Sequence, residues 1–152
     1  MDIKVVKINE DQEEQLILRC HAVTEEMKEI ISFARSRQGR LSGTREDKQY
    51  EIPILDVYYI EAVDNRTFLY TKQDVYESRL KLYELEERLQ GKHFLRISKS
   101  VLLNLMKVES IKPALNGRFM AILQSKEEVI ISRKYVKDLK MALQGGRERS
   151  GS

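Results

Sequence analysis

An α+β, mainly β fold is what this sequence predicts, and three observations carry the expectation. Short apolar, β-branched and aromatic runs follow one another with turn residues between them, strand after strand rather than strand–helix–strand. Apolar residues fall at helical spacing in only three places, near residues 24–37, 78–90 and 133–144. Asn116-Gly117 is the clearest two-residue hairpin signal in the chain.

Taken in order, residues 1–40 read as strand, strand, helix. Residues 4–8 and 15–19 are β-like runs joined by an acidic turn, 9–14. Thr24 is placed to cap a helix whose apolar face is Met27, Ile30, Ile31 and Ala34. Glu25 and Glu26 in the first turn and Arg35 and Arg37 near the last suit the helix dipole, and Gly39 is a natural stop. This N-terminal β-β-α extension is too small to stand alone. It must pack on the remainder of the chain or serve dimerisation.

Residues 40–49 read as a loop or a ragged first strand. Ile52 and Ile54 alternate around Pro53, and a proline without a ladder donor argues for an edge strand. Residues 57–60 and 67–71 make a hairpin about the turn Asp64-Asn65-Arg66, and Lys72-Gln73-Asp74 turns the chain into Val75-Tyr76. Leu82, Leu85 and Leu89 give a mid-domain helix, 78–90, one apolar face, with Gly91 as its stop. Strands follow at 94–97, 108–112, 118–123 and 129–131. Ser132 is expected to cap a C-terminal helix, 133–144, that turns Val136, Leu139 and Leu143 inward. The Gly-, Ser- and Arg-rich residues 145–152 are expected to form a disordered tail. The organisation is thus 1–40 extension, 41–144 main domain, 145–152 tail.

Composition narrows the function classes. The 152 residues suffice for one domain with a single real core. The longest apolar runs are far too short to span a bilayer, and no signal peptide is visible. The single Cys20 cannot form an internal disulfide, so a cytoplasmic setting is expected. Cys20 and His21 would point to opposite faces of a strand, and His93 stands alone, so no metal site is expected. Glu86-Glu87 and Glu127-Glu128 read as solvated pairs. With no nucleophile, base and oxyanion set, no catalytic residue, cofactor or enzyme activity is expected.

The formal net charge of +3 is unevenly spread. Residues 1–40 carry seven basic and eight acidic side chains, whereas 88–140 carry twelve basic and four acidic, a local excess of +8. Such a surface steers an acidic partner. The competing reading is a set of solvated edge lysines.

Two basic turns sharpen the first reading. In the run from Phe94 to Asn104, apolar residues surround a polar knot of Arg96, Ser98, Lys99 and Ser100. Some thirty residues later, Val129-Ile130-Ile131 runs into Ser132-Arg133-Lys134-Tyr135. Short hydroxyls and cations on well-anchored turns suit phosphate oxygens and base edges. Arg133 and Lys134 at a helix start also oppose its dipole, which points to a role beyond stability. Arg96 reads equally as a structural salt bridge or a phosphate clamp. Ser100 and Asn104 are also suited to holding the turn. Lys107, Lys112 and Arg118 are candidates for an extended phosphate footprint or for blunting strand edges. Tyr58, Tyr59 and Tyr135 read as core.

Four motifs resemble the LytTR-type (LytR/AlgR family) DNA-binding domain of bacterial response regulators. They are Tyr58-Tyr59-Ile60-Glu61-Ala62 followed by Asn65-Arg66-Thr67; the segment from Phe94 to Asn104; Val108-Glu109-Ser110-Ile111; and Ile131-Ser132-Arg133-Lys134-Tyr135-Val136-Lys137-Asp138-Leu139. The resemblance covers about residues 41–143. It implies elongated antiparallel β-sheets of LytTR type, and loops that enter successive major grooves of double-stranded DNA. By position it assigns DNA contacts to Asn65 and Arg66, to Ser98, Lys99 and Ser100, and to Arg133 and Lys134. The polar knot adds Arg96. Where the family often carries His or Asn, this chain has Ser98 and Lys99, and lysine suits guanine acceptors or phosphate. No receiver-like segment is recognisable in 1–40, so a stand-alone form is expected.

The expected function is therefore a sequence-specific transcriptional regulator of a repeated operator, acting as a homodimer. A signalling or membrane-protein partner is left open. The alternative is a protein-interaction or signal-sensing module that uses the same fold without DNA. Alanine at Arg66, Lys99 and Lys134 separates the two, since the alternative predicts no regulatory effect.

Overall fold

The computed structural model describes residues 1–36 and 39–150, with side-chain surroundings for 1–35 and 39–144. Two antiparallel sheets build it. β1 (Arg40–Arg45) and β2 (Lys48–Pro53) form a hairpin, as do β3 (Tyr59–Val63) and β4 (Arg66–Tyr70). With β5 (Val75–Ser78), β6 (Phe94–Ser98) and β7 (Val101–Asn104) they make a seven-stranded sheet of order β2-β1-β5-β4-β3-β7-β6. β8 (Val108–Pro113), β9 (Phe119–Leu123) and β10 (Glu128–Ile131) make a three-stranded sheet of order β10-β9-β8. The helices are α1 (Glu25–Ser36), α2 (Leu82–Arg88) and α3 (Val136–Ser150).

The period-two alternation of the central strands sets the layers. Ile60 of β3, Leu69 of β4 and Leu102 of β7 pack with Leu82, Leu85 and Leu89 under α2. Their neighbours Tyr59 and Leu103 face the other way, onto Ala121, Leu123, Ile131 and Leu139. The long sheet thus has a core on each face, one closed by α2 and the other by the short sheet and α3. Each fully buried Leu or Ile contributes roughly 1.5–3 kcal/mol relative to exposure. A one-residue slip of β3 would exchange the two faces, which is what holds its register.

Several expectations are corrected here. No strand precedes α1: residues 4–8 and 15–19 join no ladder. A two-stranded ribbon without further partners is marginal in water. Ile3 (85% exposed), Val5 (86%) and Leu16 (70%) accordingly lie open. The His93 imidazole, 3.3 Å from Glu13, ties this segment to the domain. Thr24 does cap α1, accepting from the Met27 N–H at 3.2 Å. The expected Arg37 lies outside the described residues.

Of the two readings for residues 40–49, loop or ragged first strand, the strand holds: they form most of the β1–β2 hairpin. Its turn residues, Glu46 and Asp47, adopt φ of +52° and +63° without glycine, so no turn signal stood out. Pro53 ends the edge strand β2, as its missing donor requires. α2 starts at Leu82 rather than near Ser78, because Ser78 still pairs with Thr67 as the last residue of β5. The Ser132 side chain does not cap the last helix. A 3-10 turn, Arg133–Tyr135, intervenes before α3. Leu139 is buried, but Leu143 is 39% exposed, one turn beyond the reach of the sheet. α3 is traced to Ser150, past the expected end at Gln144. The side chains of 145–150, and residues 151–152, lie outside the description.

Candidate nucleic-acid interface

Three connections at one end of the molecule are the turns that the sequence singles out. The β3–β4 apex is Asp64-Asn65, both at positive φ, with Arg66 opening β4 opposite Val63. The β6–β7 turn carries Lys99 and Ser100, and the Ser100 carbonyl accepts from the Ala62 N–H at 2.8 Å. With strands about 4.8 Å apart, the sheet order separates these two turns by on the order of 10 Å along the edge. The closing turn joins them because the Ser132 N–H donates to the Ile97 carbonyl at 2.8 Å. The β8–β9 loop lies beside the closing turn. A Cβ on Gly117 would meet Arg133 Cδ at 2.9 Å, so the arginine lies directly over this glycine.

The polar knot is a built turn. A bulge between Arg96 and Ser98 lets the chain reverse. The Arg96 guanidinium donates to both Glu86 oxygens, at 3.1 and 3.3 Å, and to the Lys99 carbonyl at 2.6 Å. Its side chain is only 20% exposed. Of the two readings offered for Arg96, the salt bridge is the geometry present. Ser98 Oγ accepts from the Ser100 N–H at 3.2 Å. Lys99 itself is exposed, and its ammonium has no partner among the described residues. Asn104 anchors the far end of β7, donating to the Val57 carbonyl at 2.9 Å and accepting from the Met106 N–H at 3.0 Å.

Arg66 is held differently. Its guanidinium bonds both oxygens of Glu77, at 2.6 and 3.3 Å, and lies 5.2 Å from the centre of the Phe68 ring. The hydrogen bond from Arg66 holds the Glu77 carboxyl below its ordinary range, and Glu77 in turn raises Arg66. Arg133 has no ion-pair partner among the described residues, while the Lys134 ammonium sits 5.7 Å from the Tyr135 ring centre. Asn65 is exposed. All eight predicted residues thus lie on or beside this end.

The extended footprint divides. Lys107 follows β7, so it lies at the opposite end of the sheet, 5.2 Å from the Tyr58 ring centre. Arg118 lies in the β8–β9 loop beside Arg133, donating to the Leu115 carbonyl at 3.1 Å. That loop was legible only as the Asn116-Gly117 hairpin; nothing local in the sequence marks its proximity to Arg133. Tyr58 and Tyr59 are buried, as expected. Among the described residues no group of His, Cys, Asp or Glu is placed to hold a metal, and no helix is long and apolar enough to cross a membrane.

Comparison with known proteins agrees with this arrangement. Transcriptional regulatory protein YpdB of Escherichia coli K12 is 34% identical over 92 residues, 60% of this chain and 38% of that protein. Sensory transduction protein LytT of Enterococcus faecalis is 26% identical over 136 residues, 87% of this chain and 56% of its own length. A Staphylococcus aureus protein, HTH-type transcriptional regulator SAB2242, is 27% identical over 139 residues, 90% of this chain and 94% of that one. This chain therefore spans well under two thirds of YpdB and LytT. The solved LytTr DNA-binding domain of a Bacillus cereus protein superposes with a TM-score of 0.66 at 23% identity, covering 69% of this chain and 96% of that domain. The fold is shared. The model of the LytTr DNA-binding domain matches residues 47–144, well over half of the sequence, and the chain belongs to that family.

Proposed function

We propose that the chain is a sequence-specific transcriptional regulator that presents the β3–β4, β6–β7 and closing turns to successive major grooves of a repeated operator. The observation that carries this reading is the presentation of Lys99. Arg96 holds its carbonyl at 2.6 Å and Ser98 braces the next amide, while the ammonium has no partner among the described residues. A cation on a rigid turn loses little conformational freedom on contact, which suits base or phosphate recognition. Arg133 and Lys134 beside it extend the charge. Asn65 and Arg66 supply a second point of contact about two strands away, and Ser98 and Ser100 supply short hydroxyls.

The protein works in the cytoplasm as a homodimer, one copy for each half of the operator. The apolar residues left open in 3–17 support a role for the N-terminal segment in joining the copies. Light scattering on a chain lacking residues 1–36 tests that part, and a folded, unchanged dimer would refute it.

The DNA reading is tested by titrating the promoter upstream of its own gene and a scrambled duplex, at two salt concentrations. Tight binding to the promoter that weakens steeply with salt is expected, because neutralised phosphates release counterions. Equal, weak binding to both duplexes would instead favour a protein-interaction role for the same fold.

A further inference from the structure

Arg66, Phe68 and Glu77 stand on one face of the long sheet. Residues two apart on β4 share a face, and Glu77 of β5 is the cross-strand partner of Phe68. This register decides how Arg66 is held. Its Nε donates to one Glu77 oxygen at 3.3 Å and its Nη2 to the other at 2.6 Å. The guanidinium carbon lies 5.2 Å from the centre of the Phe68 ring, which adds a cation–π contact.

A guanidinium is planar, with a side edge made by Nε and Nη2 and an end edge made by Nη1 and Nη2. Glu77 takes the side edge. Nη1 has no partner among the described residues, and the Arg66 side chain is 61% exposed. Arg66 therefore keeps a free pair of parallel donors, oriented by Glu77 and Phe68, immediately after the Asp64-Asn65 apex.

Charge decides what that edge suits. The Glu77 carboxylate brings the pair close to neutral, which weakens its pull on a phosphate. Lys99, with no partner among the described residues, keeps its full charge. Hydrogen bonds to the neutral edge of a base need no net charge. In the major groove only guanine sets two acceptors side by side, O6 and N7. Adenine places a donor beside N7, cytosine offers a donor, and thymine has its O4 beside a methyl group.

Given the regulator reading, we infer that Glu77 is a positioning residue for base readout, holding Arg66 so that its end edge reads one guanine in each repeat of the operator. Glu77 itself touches no DNA. It sets specificity by fixing the direction of the arginine and by making the site a poor phosphate anchor.

The experiment selects binding sequences from a random duplex library with the full chain, with Arg66→Ala and with Glu77→Gln, and then titrates the selected duplex. The wild type is expected to select a guanine at one position per repeat that Arg66→Ala no longer specifies, the other positions being kept. Adenine at that position weakens the wild type by about 10–100-fold and leaves Arg66→Ala nearly unaffected. Glu77→Gln lowers the guanine-over-adenine ratio by at least about fivefold. It also binds scrambled DNA more tightly, because a negative charge is gone. Replacing the guanine by 7-deazaguanine, which lacks the N7 acceptor, weakens the wild type and so tests the contact without any variant.

Three results would overturn the assignment. One is an Arg66→Ala chain that keeps every selected position and weakens all duplexes alike, with the salt slope reduced by about one, as a phosphate anchor requires. The second is a Glu77→Gln chain that loses affinity for both duplexes together, or keeps its full guanine preference. The third is a wild type indifferent to 7-deazaguanine. A wild type that selects no sequence at all overturns the regulator reading as well, whereas a selected sequence without such a guanine overturns only the roles of Arg66 and Glu77.

Discussion

The Arg96 guanidinium donates to the backbone carbonyl of Lys99 at 2.6 Å while its other nitrogens hold Glu86. A strand residue thereby fixes the turn that carries the exposed lysine. Removing it should loosen the turn without removing a DNA contact. Arg96→Gln is expected to cost about 1–2 kcal/mol of stability and to weaken operator binding about tenfold, with the slope of log affinity against log salt unchanged. A shallower slope would mean that Arg96 itself neutralises a phosphate, contrary to its assignment here.

Lys99 and Lys134 should fail in different ways. Lys99→Ala is expected to lower operator affinity by about 10–100-fold and to erode the preference over scrambled DNA, the loss of a contact worth roughly 1–3 kcal/mol. Lys134→Ala should weaken both duplexes alike and reduce the salt slope by about one. Competition assays at several salt concentrations measure both quantities. Identical behaviour of the two variants would remove the distinction between base contact and phosphate anchor.

The Arg66–Glu77 pair makes a pH prediction. Glu77 titrates below its ordinary value of 4.5, chiefly because the hydrogen bond from Arg66 favours the carboxylate. A depressed folded-state value means that the stabilisation is present above the unfolded pKa and lost as pH falls through the folded one. Carboxyl-carbon NMR should therefore give a Glu77 midpoint below 4.5 in the native chain, moving back toward it in Arg66→Ala. A native midpoint at or above that value contradicts the pair.

Asn104 bridges two segments from a site that is 1% exposed. Its amide donates to Val57 and accepts from Met106, so Asn104→Ala leaves a carbonyl and an amide without those partners. A loss of about 2–4 kcal/mol is expected in denaturant melts, against under about 1 kcal/mol for exposed Lys99→Ala.

Much of the architecture is legible in the sequence. The β-prone runs, Pro53 at an edge, the leucine face of α2 and the Asn116-Gly117 turn are local signals with local causes. The β1–β2 hairpin was missed because Glu46 and Asp47 make the turn without glycine. The N-terminal segment departs from expectation for the opposite reason. Residues 4–8 and 15–19 have strand composition, but a strand exists only where a neighbour offers its backbone, and none does among the described residues.

The DNA-contact candidates show the same division. The sequence by itself determined the residue types, the polar knot, the basic closing turn and the family resemblance, because these depend on side-chain chemistry and short spacing. Only the tertiary structure decided that the Ser100 carbonyl meets Ala62 and that the Ser132 amide meets Ile97, bringing three turns to one end. It also decided that Arg96 and Arg66 are held by Glu86 and Glu77 while Lys99 has no partner among the described residues. Those pairings join residues ten or more positions apart, and chain reversal, sheet order and register put them within hydrogen-bond reach.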